Sequence, residues 1–245
     1  MHYRILASLL PIGLIVATAS AQPAPQGTFG ANPAATFVPG GANHGIDNTQ
    51  LMNGGYGGVS LSLGAINRCD GPLANNNNGT YYASPGRYAP GTLGCSDQNW
   101  ATWNFDFFIG GANAGRYQYK LWYDIDPSTG VDMGETYFLP GSIPALGGGY
   151  QDSWNLGMPF ISAPQSFNPT YMLAINPPPT GSFNYNATGV YTFELDQYAG
   201  NNANVVLGAV RMNVVVTPEP ATLVLLGTGL LGLGGVVRRR RRSSI

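Results

Sequence analysis

Residues 116–125 read RYQYKLWYDI, and their spacing decides the fold class. Successive side chains of an extended strand point to opposite sides, so Tyr117, Tyr119, Leu121, Tyr123 and Ile125 share one face. Arg116, Gln118, Lys120 and Asp124 take the other, with Trp122 as the apolar exception. This alternation predicts a strand with one buried face. The same period recurs on either side. In WATWNFDFFI (100–109), Ala101, Trp103, Phe105, Phe107 and Ile109 line up, and in VYTFELD (190–196) Tyr191, Phe193 and Leu195 do so. VSLSLGAI (59–66), YMLAI (171–175) and the long VVLGAVRMNVVV (205–216) add further strands, with YAGNNAN (198–204) as a hairpin loop. Long amphipathic helical patterns are missing. Six or more antiparallel strands joined by polar turns predict an all-β fold, an antiparallel β-sandwich of immunoglobulin-like or jelly-roll type, over residues 46–217.

The two ends have a different character. Arg4, an apolar stretch from Ile5 to Ala17 and the small residues Ala19-Ser20-Ala21 predict a secretory signal peptide over residues 1–21. Residues 22–45, rich in Pro, Gly and Ala, are expected to form a loosely ordered arm. At the far end, residues 221–237 carry no charge. As a helix they would extend about 25 Å against a hydrocarbon core of roughly 30 Å. That is a short span, weakened in water by five glycines but tolerable in lipid. Arg238, Arg239, Arg240, Arg241 and Arg242 follow at once. Each costs about 2.5–3.5 kcal/mol at the membrane centre, so together they predict a stop-transfer signal that stays cytoplasmic and leaves the sandwich outside.

Pro218-Glu219-Pro220, the apolar segment and the arginine cluster, in that order on a chain with a signal peptide, resemble the PEP-CTERM tail of Gram-negative bacterial proteins. The resemblance covers about residues 217–242 and implies a partner, the exosortase, a membrane-embedded cysteine transpeptidase. It would cut near the Pro-Glu-Pro and pass the ectodomain to the cell surface or extracellular matrix, with a link to exopolysaccharide. NWATWNFDFFIG, YKLWYDIDPSTG and YQDSWNLGM, followed by the terminal hairpin, also resemble PEP-CTERM ectodomains, which brings no assigned activity. The implied precursor sits in the inner membrane with a periplasmic ectodomain. The alternative is a permanently anchored sandwich that binds carbohydrate or calcium.

Without its ends the chain is acidic. Residues 22–217 hold five basic and eleven acidic side chains, which argues against nucleic acid as a partner and accommodates neutral glycans or divalent cations. In an oxidising compartment Cys69 and Cys95 form a disulfide contributing roughly 3.5 kcal/mol, or else remain two buried thiols. Between them lies a long loop rich in Gly and Asn, whose run Asn75–Asn78 reads as its tip.

Three constellations bear on chemistry. In DIDPSTGVDMGE, Asp124, Asp126, Ser128, Asp132 and Glu135 occupy positions 1, 3, 5, 9 and 12 of a calcium loop of EF-hand type. Thr129 stands where the sharp turn wants glycine, a strand leads in, and Asp-Pro-Ser-Thr-Gly is also an ordinary turn. Trp100, Trp122 and Trp154, with Tyr81, Tyr82 and Tyr150, offer flat faces for a glycan platform, or else fill the core. Catalysis has little basis: His44 lies in a glycine-rich arm, no G-x-S-x-G elbow occurs, and no catalytic residue is assigned. Asp106 with Asp152 or Glu194 would serve as a glycosidase dyad only at about 5–9 Å. The expectation is a non-enzyme without a cofactor, calcium aside.

Overall fold

The computed structural model describes residues 24–38, 45–87, 100–127, 149–158, 161, 183–200 and 202–217, together with the backbone of strands at 133–138 and 173–176. The expected signal peptide, His44, Cys95, Ser128, Asp132 and everything from Pro218 onward lie outside the described residues.

In chain order the described strands begin with β1 (Thr28–Gly30), β2 (Leu51–Gly54), β3 (Ser60–Asn67), β4 (Gly71–Pro72), β5 (Ala74–Asn75) and β6 (Thr80–Ala83). They continue with β7 (Trp103–Gly110), β8 (Gln118–Asp124), β9 (Met133–Phe138), β10 (Gly149–Trp154), β11 (Leu173–Asn176), β12 (Gly189–Ala199) and β13 (Asn202–Val216). One sheet has the order β1-β2-β3-β7-β10, with β4 folded back on the end of β3. The other has the order β11-β9-β8-β12-β13-β6-β5. Among the described residues no helix is long and apolar enough to cross a membrane.

The period-two faces meet between the sheets. Tyr119, Leu121 and Tyr123 from β8, Tyr191, Phe193 and Leu195 from β12, and Val210, Met212, Val214 and Val216 from β13 join Phe105, Phe107 and Ile109 of β7 in one buried cluster. Aromatic rings hold its middle. Phe105 stacks on Phe193 at 4.6 Å between centroids, and Trp154 meets Phe107 edge-on at 4.8 Å. Such pairs add about 0.5–1.5 kcal/mol each beyond their buried area.

Three features depart from the expectation. First, the second sheet is mixed, because β6 runs parallel to β13 through the pairs Asn213↔Thr80 to Val216↔Ala83. Alternation in sequence reports which face is buried and carries nothing about a neighbour's direction. Second, the Gly- and Asn-rich stretch after Cys69 supplies β4, β5 and β6. Its asparagines build the β5–β6 turn: Asn75 Oδ1 accepts from the Asn77 amide, and Asn76 Oδ1 from the Asn78 and Thr80 amides. Third, much of the expected arm is ordered and the sandwich begins well before residue 46. Gln26 exchanges two backbone hydrogen bonds with Arg211 of β13, and β1 then pairs with β2 in the opposite sheet. Gly27 turns that corner at φ +127°, with Asn53 O 2.8 Å from where a Cβ would stand.

The segment after β1 crosses the outer face of the first sheet. Asn32 Nδ2 donates to Ser60 and Ser62, the amides of Thr36 and Phe37 donate to Gln151 Oε1, and Ala35 packs with Leu51, Phe108 and Ile46. Strand β7 is therefore buried on both faces. At its start Asn155 bonds to the backbone of Ala101 and Trp103 and to the Asn104 side chain, satisfying polar groups that burial would otherwise leave unpaired.

Candidate functional site

The three tryptophans do not form one platform. Trp154 is 3% exposed in the inter-sheet core, where its Nε1 donates to Asp152. Trp100 lies under the Arg68 guanidinium, 3.8 Å from ring centroid to Cζ. Trp122 is on the outer face of the second sheet, and cross-strand register gathers polar groups around it. Glu194 stands opposite Trp122, Asp196 opposite Lys120, and Arg211 opposite Glu194. Trp122 Nε1 and the Tyr198 hydroxyl both donate to Asp196 Oδ2 at 2.9 Å, and Lys120 Nζ lies 5.1 and 5.3 Å from the two ring centroids. Arg211 pairs with Glu194 at 2.6 Å. Burial, with Glu194 adding to it, pushes the Asp196 carboxyl up to about 6. Trp122 was marked in the sequence by falling on the polar face. Its neighbours come from a strand far along the chain, so only pairing could reveal them. Of the tyrosines, Tyr81 and Tyr150 are buried and Tyr82 is exposed.

The segment with calcium-loop spacing connects two antiparallel strands, with Asp124 paired to Met133 and Trp122 to Glu135. Asp124 is fully buried at the end of β8, and its Oδ1 accepts from the Asp126 amide at 3.0 Å, closing a local turn. Ser128 and Asp132 lie outside the described residues, and for Glu135 only the backbone is described. Among the described residues no group of three His, Cys, Asp or Glu side chains could hold a metal ion.

Of the carboxylates considered as a dyad, Asp106 and Asp152 lie on adjacent strands of the first sheet and Glu194 on the second. Asp106 pairs with Ser153 on the outer face of the first sheet. Asp152 stands opposite Phe107 and so takes the inward face, while Glu194 lies on the outer face of the other sheet. Asp106 is 1% exposed, with the Ser153 hydroxyl beside its carboxyl. Burial is the main cause that pushes its carboxyl up to about 7. Ser153 beside it tempers the rise, and Asp152 and Asp47 add to it. The Tyr81 hydroxyl, which donates to Gln50 O, is raised by burial and by the same Asp106.

The chain leaves the sandwich at the end of β13. Three consecutive β-branched residues alternate there, so Val214 and Val216 enter the core while Val215 turns outward. Val216 lies between Gly189 of β12 and Ala83 of β6, and the Thr217 amide donates to Ala83 O at 3.1 Å. The family model described as the PEP-CTERM protein-sorting motif matches residues 216–242. The chain carries a PEP-CTERM sorting motif. No curated protein and no solved structure matches the chain. The motif marks an exported protein, made as a membrane-anchored precursor and sorted by an exosortase. The first two matched residues of this PEP-CTERM motif, Val216 and Thr217, are part of the folded sheet.

The Asp106 environment sets a pH dependence. Its folded-state value lies above that of an unfolded aspartate, so folding takes up a proton between about pH 4 and pH 7. Stability should be full at the acid side of that window, fall as the pH rises through it, and level off above pH 7. The loss has an upper bound of roughly 4 kcal/mol. Urea denaturation across this range should show the decline, and Asp106→Asn should flatten it. A D106N profile parallel to wild type would contradict the assignment.

Proposed function

We propose that this protein is a non-enzymatic component of the bacterial surface or extracellular matrix. Its signal peptide is removed on export, residues 221–237 hold the precursor in the inner membrane, and Arg238–Arg242 keep the tail's end cytoplasmic. The exosortase then cuts near Pro218-Glu219-Pro220 and releases the sandwich outward. The observation that carries this reading is the sorting motif that starts on the last residue of β13. The placement of Asp106 and Glu194 on different sheets, and of Asp106 and Asp152 on opposite faces of one sheet, supports a non-catalytic role. Cys69 is disulfide-bonded, and we pair it with Cys95 as a clamp suited to an oxidising compartment.

Mass spectrometry of the mature carboxyl terminus tests the proposal. The expected product lacks all five terminal arginines, and replacing Pro218, Glu219 and Pro220 by alanine should retain them. A mature wild-type protein that keeps its arginines would instead establish a permanent anchor.

A second reading attaches to Trp122. A half-buried indole beside Tyr198, Lys120 and two carboxylates has the makings of a sugar-stacking surface, an apolar face edged by hydrogen-bonding groups. On a glycan array Trp122→Ala should abolish any wild-type signal while leaving thermal stability within a few degrees. Equal array signals from W122A and wild type would remove this reading.

A further inference from the structure

The sorting motif and the fold overlap, and the overlap is tight. Val216 is 1% exposed, paired on one side with β12 and on the other with β6. Gly189, its partner on β12, is pressed against Pro127, whose carbonyl oxygen lies 2.7 Å from where a Cβ would stand. One residue on, the Thr217 amide is committed to Ala83 O. Both edges of the strand are thus in use until the residue before Pro218. An enzyme that cuts a peptide bond generally holds its substrate extended and pairs with the substrate's backbone edges. Those edges are closed here on the amino side of the motif. Only four Cα steps, at most about 14 Å, separate Thr217 from Ala221, where the apolar segment begins. A catalytic site working in that interval meets the end of the sandwich at once.

We propose that the end of β13 is a gate on tail processing: Val216 and Thr217 must unzip from β12 and β6 before the exosortase can engage the amino side of the motif, and this release sets the processing rate. The proposal rests on the sorting reading above. In it Val216, Thr217 and their partner Ala83 act as positioning residues, which present or withhold the motif without touching the reacting bond. The gate also gives the fold a role in timing, because an unfolded or partly folded precursor has the same motif with its edges open.

Pulse–chase labelling of the full-length precursor, in cells that contain the processing enzyme, tests this with two variants. A six-residue Gly-Ser linker between Thr217 and Pro218 leaves the sandwich untouched and moves the motif clear of it. Ala83→Pro removes a β6 amide on the edge that faces β13, the edge from which the Gly79 and Ala83 carbonyls accept, and loosens the strand that closes β13. Both should accelerate tail release about fivefold or more, equivalent to roughly 1 kcal/mol of relieved opening cost. An unchanged or slower rate in the linker variant would overturn the gate. Acceleration by the linker with none in A83P would also overturn it, because the bulk of the sandwich rather than strand release would then set the rate. Absence of cleavage even in the wild type would instead overturn the sorting reading, and the gate with it.

Discussion

The structure depends on β13 being held along both edges. On one side it makes the longest ladder of the fold with β12, from Gly189↔Val216 to Ala199↔Asn202. On the other it takes partners from the first part of the chain, Gln26 at Arg211 and β6 from Asn213 to Val216. Because Gln26 leads through Gly27 into β1, this edge also joins the two sheets on that side. The strand that closes the sandwich is also the strand that continues into the sorting motif. Folding and sorting thus share one piece of backbone.

The same economy buries polar groups. Covering the first sheet's outer face with residues 31–38 and 45–50 gives Phe108 and Leu51 apolar company, but it also encloses Asp106. A carboxyl in that position is tolerated as the neutral acid and opposed as the anion. On the second sheet's outer face Asp196 is likewise buried, yet it accepts hydrogen bonds from Trp122 and Tyr198 and is raised less. The contrast follows first from burial, which encloses Asp106 more completely, and then from the donors available. Asp106 has Gly64 as its register partner on β3 and Ser153 on β10, while Asp196 has an indole and a phenol.

Much of this was legible in the sequence where one physical rule acted alone. In β8, β12 and β13 the face packed into the core dictates period two, and the alternating residues of RYQYKLWYDI take the sides their spacing predicts. The sorting tail was legible because it is a linear signal that needs no partner from elsewhere in the chain. The rest depended on contacts between distant segments. β6 is four residues directly after a run of asparagine and glycine, and its place in the sheet comes from pairing with β13, far along the chain, and with β5. The burial of Asn104 and Asp106 follows from a cover supplied by a proline- and glycine-rich segment whose composition suggests an arm. Trp122 stood out by its position, but its companions required the register between β8 and β12.

Amide hydrogen exchange on the purified protein, read at Arg211, Asn213 and Thr217, tests the central claim most directly. These amides donate to Gln26, Gly79 and Ala83, so all three report on the β13 edge that closes the fold. The account predicts Arg211 and Asn213 protected as strongly as the middle of β12, with Thr217 exchanging faster than they do and more slowly than a free peptide. Exchange of all three at the rate of an unstructured chain would contradict it, leaving the sandwich open at β13 and the motif unhindered.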